Sequence, residues 1–456
     1  MIKRYASAGL TMALLMLFIF GCKVGPNYKQ PDIPTGDQYR FAETSDSASF
    51  ADTTWTYVFR DTILQQLIRQ GLEYNFDLLM TIERVNQARA AFKNVRADLW
   101  PSLGASGAAA YNKSQSPAGG TVEYHDFNVT ANLSWELDIW GKLRRAKESA
   151  LADLLAQEAY RQSVYITLIA NIASGYFNLV EYQDELQITR YNVIIREEAL
   201  SLVKFKMMAG TVSGLVVAQA EAELASIKTQ VPLFEKAVGM QENALRLLVG
   251  QLPGEVITGD SIINQINPSV IPEAGIPAQL ITRRPDIIQA EQTLISANAQ
   301  IGVARASMLP TLSISADLGY STLGAGMIAS TVGNLVAPIF SFGKLKANLR
   351  KAQAYHEEML LNYQKTIYTA IGEVSNGMLS IEKQRVIVEE NNLLVAAAQT
   401  SFDLSNQLFN AGYASYLDVI NAQRRLYEAQ IQLSLAQTDD LLGFVNLYLA
   451  LGGGWK

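Results

Sequence analysis

Two segments of the chain alternate strictly between apolar and polar residues. In residues 127–139 the odd positions are apolar and the even positions hold Asn, Thr, Ser, Glu or Asp. Residues 311–320 repeat the alternation. A period of two places the two sets on opposite faces of a strand. The pattern therefore predicts strands at 126–139 and 311–321, each with one apolar and one polar face.

These two strands need hairpin partners, and the partners are weaker in sequence. We predict them at 102–112, which is rich in Gly and Ala, and at 331–342, which contains Pro338. Loops are expected between the paired strands, at 113–126 and 321–330. A strand of about ten residues with one apolar face is the unit of a transmembrane β-barrel, although a sheet on a soluble core gives the same alternation.

The number of strands bears on how a barrel would close. Four strands per chain are too few, because a closed barrel needs at least about eight. An open edge cannot lie in lipid, since its backbone groups would stay without partners. Two chains would give eight strands with a filled lumen, and three would give twelve and leave a passage. Strands that cross a membrane therefore predict a barrel shared by several chains.

Outside these segments the chain favours long helices. No proline lies between Pro117 and Pro232 or after Pro338, and proline costs a helix interior about 3 kcal/mol. Residues 142–208 and 344–410 are rich in Ala, Leu, Glu and Gln. At about 1.5 Å per residue each would form a helix of roughly 100 Å, which needs a coiled-coil-like partner along its length.

Each long helix is followed by a short turn and a second helix. The turns read AGTVSGL at 209–215 and AGYASYL at 411–417. Each offers a glycine for the left-handed conformation that ends a helix and a serine for the N-cap of the next helix. These residues are Gly210 and Ser213 in the first turn, and Gly412 and Ser415 in the second. We predict antiparallel helical hairpins at about 142–250 and 344–451, each with a tight tip.

Matching residues recur along the chain in the same order. The matched pairs are Pro101 and Pro310, which are 209 positions apart, and Gly141 with Gly343 and Ala209 with Ala411, each 202 positions apart. Helical composition alone does not place matching proline and glycine residues. The chain is therefore interpreted as an internal duplication, with repeats at 61–250 and 280–456 joined by a linker at 251–279.

The N-terminus has the pattern of an exported lipoprotein. A basic start precedes an apolar run at 8–20, which is followed by Gly21-Cys22. We predict a signal peptide at 1–21, a diacylglycerol on Cys22 and an extended tether at 22–60. The alternative is an ordinary cleavage site with an incidental cysteine. Cys22 is the only cysteine, so no disulfide can form within the mature chain.

Composition argues against several classes of protein. The 37 Lys and Arg residues are outnumbered by 43 Asp and Glu residues, and without a basic footprint no nucleic-acid partner is expected. His125 and His356 are far apart in sequence, so no metal site is expected. We find neither a phosphate-binding loop nor a nucleophile elbow, and we expect no enzyme activity. After Cys22 no apolar run of membrane-spanning length is expected.

Five motifs in this order carry a resemblance to a known family. They are GCKVGPNYKQP (21–31), RRPDI (283–287), FGKL (342–345), AGYASYLDVINAQ (411–423) and LGGGW (451–455). Together they resemble the TolC family of outer-membrane efflux proteins, in its lipoprotein (NodT-like) branch. The resemblance covers essentially the whole mature chain. It implies a mainly α fold with a shared twelve-stranded barrel and an α-helical periplasmic tunnel.

The resemblance also implies a cellular location and partner proteins. It predicts a homotrimer in the outer membrane that is lipid-anchored, extends into the periplasm and acts as the exit duct of a tripartite efflux pump. A periplasmic adaptor protein and an inner-membrane pump, expected to be proton-driven, would complete the route. Energy would come from the pump, so no cofactor is expected beyond the lipid on Cys22. The transported substrate is left open.

Two sites follow from the resemblance by position. The tips would contact the adaptor through the small residues Ala209, Gly210, Ser213, Ala411, Gly412 and Ser415. Asp418 would line the closed periplasmic aperture, where three copies would lie close together and attract cations. The alternative for Asp418 is a purely structural capping box with Ser415. Asn421 stands where many relatives carry a second acid, which puts a two-tier acidic gate in doubt.

Other functions remain open on the sequence. The chain could be the outer-membrane component of a type I secretion system, which shares the duct but has an ATP-driven exporter. A passive porin shares the barrel but needs no long helices. A periplasmic scaffold lipoprotein without a pore shares the helices and the anchor.

Overall fold

The structure, a computed structural model, describes residues 23–41, 54–115, 119–259, 275–322 and 326–453. The predicted signal peptide and the predicted lipidation site Cys22 lie outside the described residues. The helices are α1 (Trp55–Val58), α2 (Thr62–Tyr74), α3 (Phe76–Ala97), α4 (Lys142–Met208), α5 (Gly214–Leu248), α6 (Leu280–Arg283), α7 (Pro285–Ala306), α8 (Lys344–Asn410) and α9 (Tyr416–Ala450). The strands are β1 (Ser102–Gln115), β2 (Thr121–Leu137), β3 (Thr311–Ser321) and β4 (Gly326–Val336).

The chain divides into two compact units. The strand unit comprises the residues up to Ile33, Glu83–Ala159 and Ile288–Thr366. The helical unit comprises Pro34–Ile82, Tyr160–Ile287 and Ile367–Lys456. Because the long helices α4 and α8 contribute residues to both units, each unit draws on both halves of the chain.

The four strands form one antiparallel sheet in the order β1-β2-β3-β4. β3 covers the residues predicted for it, but the predicted bounds of β1 (102–112) and β2 (126–139) are wrong at the turn that joins them. The pairing continues as far as Gln115 with Thr121. Gly119 and Gly120 have φ angles of 81° and 125°, which glycine adopts at little cost. Paired strand therefore replaces most of the predicted loop at 113–126.

Two further strand ends differ from prediction for identifiable reasons. β2 ends at Leu137 rather than 139, because the Asp138 carboxylate accepts hydrogen bonds from the backbone nitrogens of Leu143 and Arg144 at 2.9 and 3.0 Å. These bonds start α4. β4 is Gly326–Val336 rather than 331–342. Pro338 has no N–H to donate to a ladder, so the strand ends before it, and strand replaces much of the loop predicted at 321–330.

The helices confirm the predicted long hairpins. α4 and α8 each contain 67 residues and begin and end at the predicted positions. α5 and α9 each contain 35 residues. The equal lengths in the two halves follow from the matched turns that end α4 and α8.

The helical unit has an apolar core to which α4 contributes most. α4 contains an 18-residue stretch that is long and apolar enough to cross a membrane by composition, contrary to the expectation of no such run. However, 61% of that stretch is buried inside the protein. Ile172 and Phe177 of α4, for example, pack against Ile68 of α2 and Val445 of α9 in one cluster. The stretch is therefore the core side of a buried helix.

Candidate functional site

The register of the sheet separates two faces. Val129 lies opposite Tyr320 and Ala131 opposite Leu318 on the apolar face. The large side chains on this face are mostly exposed in the single chain, with Val129 at 66% and Leu318 at 55%. The opposite face of β2 and β3 carries Asn, Thr, Ser, Glu and Asp. A sheet between lipid and water needs this division of its faces.

Hydrogen-bonded side chains cross the polar face from β1 to β4. We call this set, Ser106, Thr130, Asn132, Asp317 and Ser330, the polar row. Ser106 Oγ lies 2.9 Å from Thr130 Oγ1 and donates to Asn132 Oδ1 at 3.0 Å. Asn132 Nδ2 donates to Asp317 Oδ1 at 2.6 Å, and Ser330 Oγ donates to Asp317 Oδ2 at 3.1 Å. Both oxygens of the Asp317 carboxylate are thus held by neutral donors.

The N-terminal segment is fixed by a buried arginine of α4. Arg145 is 0% exposed. Its guanidinium donates to the backbone oxygens of Val24 and Gly25 at 3.2 and 3.0 Å and to Asn27 Oδ1 at 3.0 Å. Glu148 supplies the counter-charge at 2.9 Å. We call this arrangement the N-terminal clasp.

Close backbone approach completes the N-terminal clasp. A side chain at Gly25 would place its Cβ 2.6 Å from the Cα of Gly302, and a Cβ at Gly302 would lie 2.8 Å from the Arg145 side chain. The backbone nitrogen of Val24 donates to Trp140 O at 3.0 Å, where β2 gives way to α4. The segment directly after Cys22 is therefore tied to the junction of strand and helix.

The two helical tips have the same backbone geometry. Gly210 and Gly412 have φ angles of 76° and 83°. In the first tip Thr211 N donates to Lys206 O, and in the second Tyr413 N donates to Leu408 O, at 3.0 and 2.9 Å. Each of these hydrogen bonds joins a backbone N–H to the carbonyl five residues earlier, which is the bond of the Schellman motif at the end of a helix. Nothing lies within 4 Å of a Cβ added to either glycine, so both turns are open to their surroundings.

The caps of the second helices differ between the tips. Ser415 and Asp418 form the capping box, with Ser415 N and Oγ donating to Asp418 Oδ2 at 2.9 and 2.7 Å and Asp418 N donating to Ser415 Oγ at 3.3 Å. The Ser415 hydroxyl, and then its backbone, hold the pKa of the exposed Asp418 below its ordinary value. Ser213 occupies the N-cap of α5, but its side chain makes no capping hydrogen bond. The predicted capping role of Ser213 is therefore wrong.

The two tips pack on each other within the helical unit. One apolar cluster joins Val203 of α4, Val217 of α5, Phe409 of α8 and Tyr416 of α9. Lys206 Nζ donates to Asn410 Oδ1 at 2.9 Å and lies 4.2 Å from the centre of the Phe409 ring. The tips thus present one joint surface rather than two separate turns.

Comparison with known proteins shows which protein family has this combination of sheet and helical hairpins. The profile of the family described as outer membrane efflux protein matches residues 67–251 and 276–453. The chain belongs to the outer membrane efflux protein family. The chain is 33% identical to the solvent efflux pump outer membrane protein SrpC of Pseudomonas putida, over 97% of each chain.

Other family members confirm the extent of the likeness. The cation efflux system protein CusC of Escherichia coli O6:H1 is 28% identical, over 96% of this chain and 97% of its own. The crystal structure of the open state of the Neisseria gonorrhoeae MtrE outer membrane channel is 27% identical, with a TM-score of 0.86 over 95% of this chain and 99% of that one. The predicted fold class, the function as an efflux channel and the outer-membrane location are thereby confirmed: the chain has the mainly α fold with barrel strands of an outer-membrane efflux channel, and its lipid anchor stays a prediction.

Within this efflux-protein fold, the residues predicted for the tips and the gate fall in one place. The six small tip residues and Asp418 all lie at the joint tip surface of the helical unit, and Asp418 is exposed there. Adaptor contact and gating stay predictions, since the geometry of one chain accounts for both tips as helix endings. His125 lies against Tyr111 with ring centres 5.1 Å apart, which is a cross-strand contact.

Sequence reasoning missed a buried ion cluster near the tips. Glu223 of α5 is 7% exposed and Arg196 of α4 is 6% exposed. Arg196 Nη1 lies 3.5 Å from Glu223 Oε2 and donates to Glu223 O at 2.9 Å. Arg424 Nε of α9 donates to Glu223 Oε2 at 3.0 Å. Glu223 therefore ties the two hairpins together, and charged residues on amphipathic helices gave no signal of it.

Sequence reasoning also missed two buried carboxyl groups on α4. Glu181 and Glu185 are 7% and 4% exposed. Burial raises the pKa of Glu181 to about 7, against a smaller lowering by Thr438. Burial also raises the pKa of Glu185 to about 7, and the charges of Glu181 and Asp184 add to the effect. Their spacing of one helical turn is the only sequence signal, and it is common on solvated helices.

Proposed function

We propose that three copies of this chain form a lipid-anchored duct through the outer membrane, which receives substrate from an inner-membrane pump through a periplasmic adaptor. The main observation in favour of the trimer is that the two edge strands of the sheet, β1 and β4, each have one side without a partner strand among the described residues of the single chain. β1 is exposed along all 14 residues in the single chain. Backbone groups at such an edge need partners in lipid, and three four-stranded sheets supply a closed barrel of twelve strands.

The N-terminal clasp supports the proposed anchor on Cys22. Val24 N is hydrogen-bonded to Trp140 O, between the end of β2 and the start of α4, and Cys22 is two residues upstream. Two residues span at most about 7 Å, so acyl chains on Cys22 would enter the bilayer where the strands leave it. A diacylglycerol is the only non-protein group that this proposal requires.

The joint tip surface supports adaptor binding. Gly210 and Gly412 stand free of neighbours, and the small residues around them permit close approach of a second helical tip. In this proposal Ala209, Gly210, Ser213, Ala411, Gly412 and Ser415 contact the adaptor. The inner-membrane pump supplies the energy, and a proton-driven pump is expected because the chain resembles efflux channels.

Asp418 is proposed to gate the duct at its periplasmic end. Its carboxylate is exposed beside the turn and accepts only from Ser415 among the described residues. A threefold axis at the tip would bring three such carboxylates together, and a cation bound between them would offset their repulsion and hold the aperture narrow. Asp418→Ala is expected to raise the leak conductance of the trimer in a planar bilayer. Asp403→Ala, an exposed acid on α8, serves as the matched control and should leave the conductance unchanged.

The experiment that tests the duct combines purification, conductance and drug sensitivity. The detergent-purified chain should be a trimer that conducts ions in a planar bilayer. Deletion in cells should raise sensitivity to toxic compounds only where the partner pump is present. A conducting channel with no pump-dependent phenotype would indicate a passive porin, and a trimer that never conducts would indicate a scaffold. Dependence on an ATP-driven exporter would indicate type I secretion.

A further inference from the structure

The polar face of the sheet carries charge of one sign. Its charged residues in the described strands are Asp126 near the turn of the first hairpin, Asp317 in the middle of β3, and Glu136 near the start of α4. The register places no Lys or Arg on that face in the strands described. Lys113 and its ion-pair partner Glu123 lie on the other face. In the described strands, the charged residues on the face that would line the lumen are therefore all acidic.

The three acids differ in how far their charge is compensated. Glu136 lies 2.9 Å from Lys142 Nζ, so its charge is paired. Asp126 accepts from the hydroxyls of Ser321 and Thr322 at the end of the strands. Asp317 lies in mid-strand and no cation of the described residues lies within 4 Å of its carboxylate. Of the three, Asp317 alone combines a central position with an uncompensated charge.

The polar row makes Asp317 a fixed charge rather than a mobile one. Asn132 and Ser330 each bind one carboxylate oxygen, and Asn132 is held in turn by the β1 hydroxyl of Ser106. A carboxylate on a flexible chain can turn away from a passing ion, whereas this one is locked by neighbours on both sides. Neutral donors orient the charge without cancelling it.

We propose that Asp317 forms a cation-preferring ring inside the barrel, separate from any gate at the tips. The proposal rests on the trimeric duct, which would place three Asp317 carboxylates at one level of the lumen. A narrow water-filled passage with low-dielectric walls concentrates counter-ions of the opposite sign. Cationic permeants are favoured at this level, and anionic ones are slowed.

A cysteine reporter tests the ring without depending on the tips. Ser315 lies on the same face two residues from Asp317, a distance of about 7 Å along the strand. The chain has a single native cysteine, Cys22, and the protein without the reporter gives the background. Ser315→Cys is treated in the intact trimer with a cationic and an anionic methanethiosulfonate reagent of similar size. The measured quantity is the ratio of their reaction rates.

The expected result is a ratio that favours the cationic reagent and that falls by about threefold to tenfold when Asp317→Asn is added. Asp317→Glu should keep the ratio high. Asp126→Asn is the matched control, because its neighbour Ser321 lies about 20 Å along the strand from the reporter at position 315, beyond the screening length of about 8 Å at physiological salt. High salt should reduce the difference between the Asp317 variants.

The outcomes separate this inference from the duct itself. A reporter that reacts equally with both reagents in a conducting trimer overturns the cation ring and leaves the duct intact. The same holds if Asp126→Asn lowers the ratio as much as Asp317→Asn. A reporter that reacts with neither reagent, in a trimer that does not conduct, overturns both. As a second measurement, Asp317→Asn should move the reversal potential in a KCl gradient towards zero, and an unchanged potential contradicts the ring.

Discussion

The two helical hairpins have the same dimensions but bury different groups. Their long helices α4 and α8 are equal in length, as are the shorter α5 and α9. Yet Glu181 and Glu185 are buried on α4, whereas Lys383 and Ile387, the residues 202 positions later, are both exposed. The length of each hairpin is set locally by its turns, while burial is set by what packs against it.

The tips repeat this contrast on a smaller scale. The glycine turns have matching φ angles and matching hydrogen bonds. The caps do not match. Asp418 completes a reciprocal capping box with Ser415, whereas its counterpart in the first tip, Val216, has no carboxylate. Duplication has thus preserved the backbone of the tip and changed its electrostatics. Four sets of substitutions measure how much each difference contributes.

The largest effect is expected from Glu223, the acid of the first hairpin that binds arginines of both. Glu223→Ala leaves the buried Arg196 without its counter-charge, and removing one partner of a buried pair costs about 3 kcal/mol or more. The midpoint of thermal unfolding of the solubilised protein should fall by several degrees. Arg424→Gln is the control: its side chain is 55% exposed, so its loss should cost less than about 1 kcal/mol. Equal losses for the two variants would contradict the buried pair.

The next effect concerns Glu181 and Glu185, which have no acidic counterparts on α8. Their pKa values are raised from 4.5 to about 7 in the folded chain, so the folded state binds more protons than the unfolded state between these values. Their contribution to stability is full below about pH 4.5, falls as the pH rises through 7 and is constant above it.

The double variant Glu181→Gln, Glu185→Gln should therefore flatten the dependence of the thermal midpoint on pH between 5 and 8. At pH 8 it should be more stable than the parent, because two buried charges are removed. Glu389→Gln, Glu390→Gln on α8, where both side chains are exposed, is the comparison pair and should follow the parent profile. A parent midpoint that does not fall from pH 5 to pH 8 would refute the raised values.

The same contrast explains how much the sequence could predict. Helix ends depend on glycine, serine and proline within a few residues, and the bounds of α4 and α8 were predicted from these residues alone. The mid-strand alternation likewise placed β3. The N-terminal clasp could not be predicted, since Arg145 on a helix reads as a solvated residue until Val24 and Gly25 are seen to cover it. The predicted capping bond of Ser213 was wrong because the first tip has no acid at the reciprocal position. Without that acid, nothing fixes the rotamer of the serine at the N-cap.

A smaller and equal effect is expected at the two tip glycines. Gly210→Ala and Gly412→Ala each place a Cβ on a residue with φ near 80°, which costs about 1 kcal/mol although the surrounding space is free. Gly239→Ala, in the interior of α5 with nothing within 4 Å of its Cβ, should instead stabilise by up to about 1 kcal/mol. Thermal midpoints of the three variants check the result. Unequal losses at the two tips would mean that their backbones are not equivalent.

The smallest effect separates the two caps and addresses the electrostatic difference directly. Ser415→Ala removes the hydroxyl that bonds the amide of Asp418, and loss of an N-cap costs about 1 kcal/mol. Ser213→Ala should change the free energy of unfolding little, because its side chain makes no capping bond. Hydrogen exchange at the first turns of α9 and α5 distinguishes the two variants. Ser415→Ala should speed exchange in α9, and Ser213→Ala should leave exchange in α5 unchanged. Val216→Asp supplies the missing carboxylate, and adding it should slow exchange in α5 only while Ser213 is present. If Val216→Asp acts equally in the Ser213→Ala background, the gain comes from the helix dipole and the capping box does not explain how the tips differ.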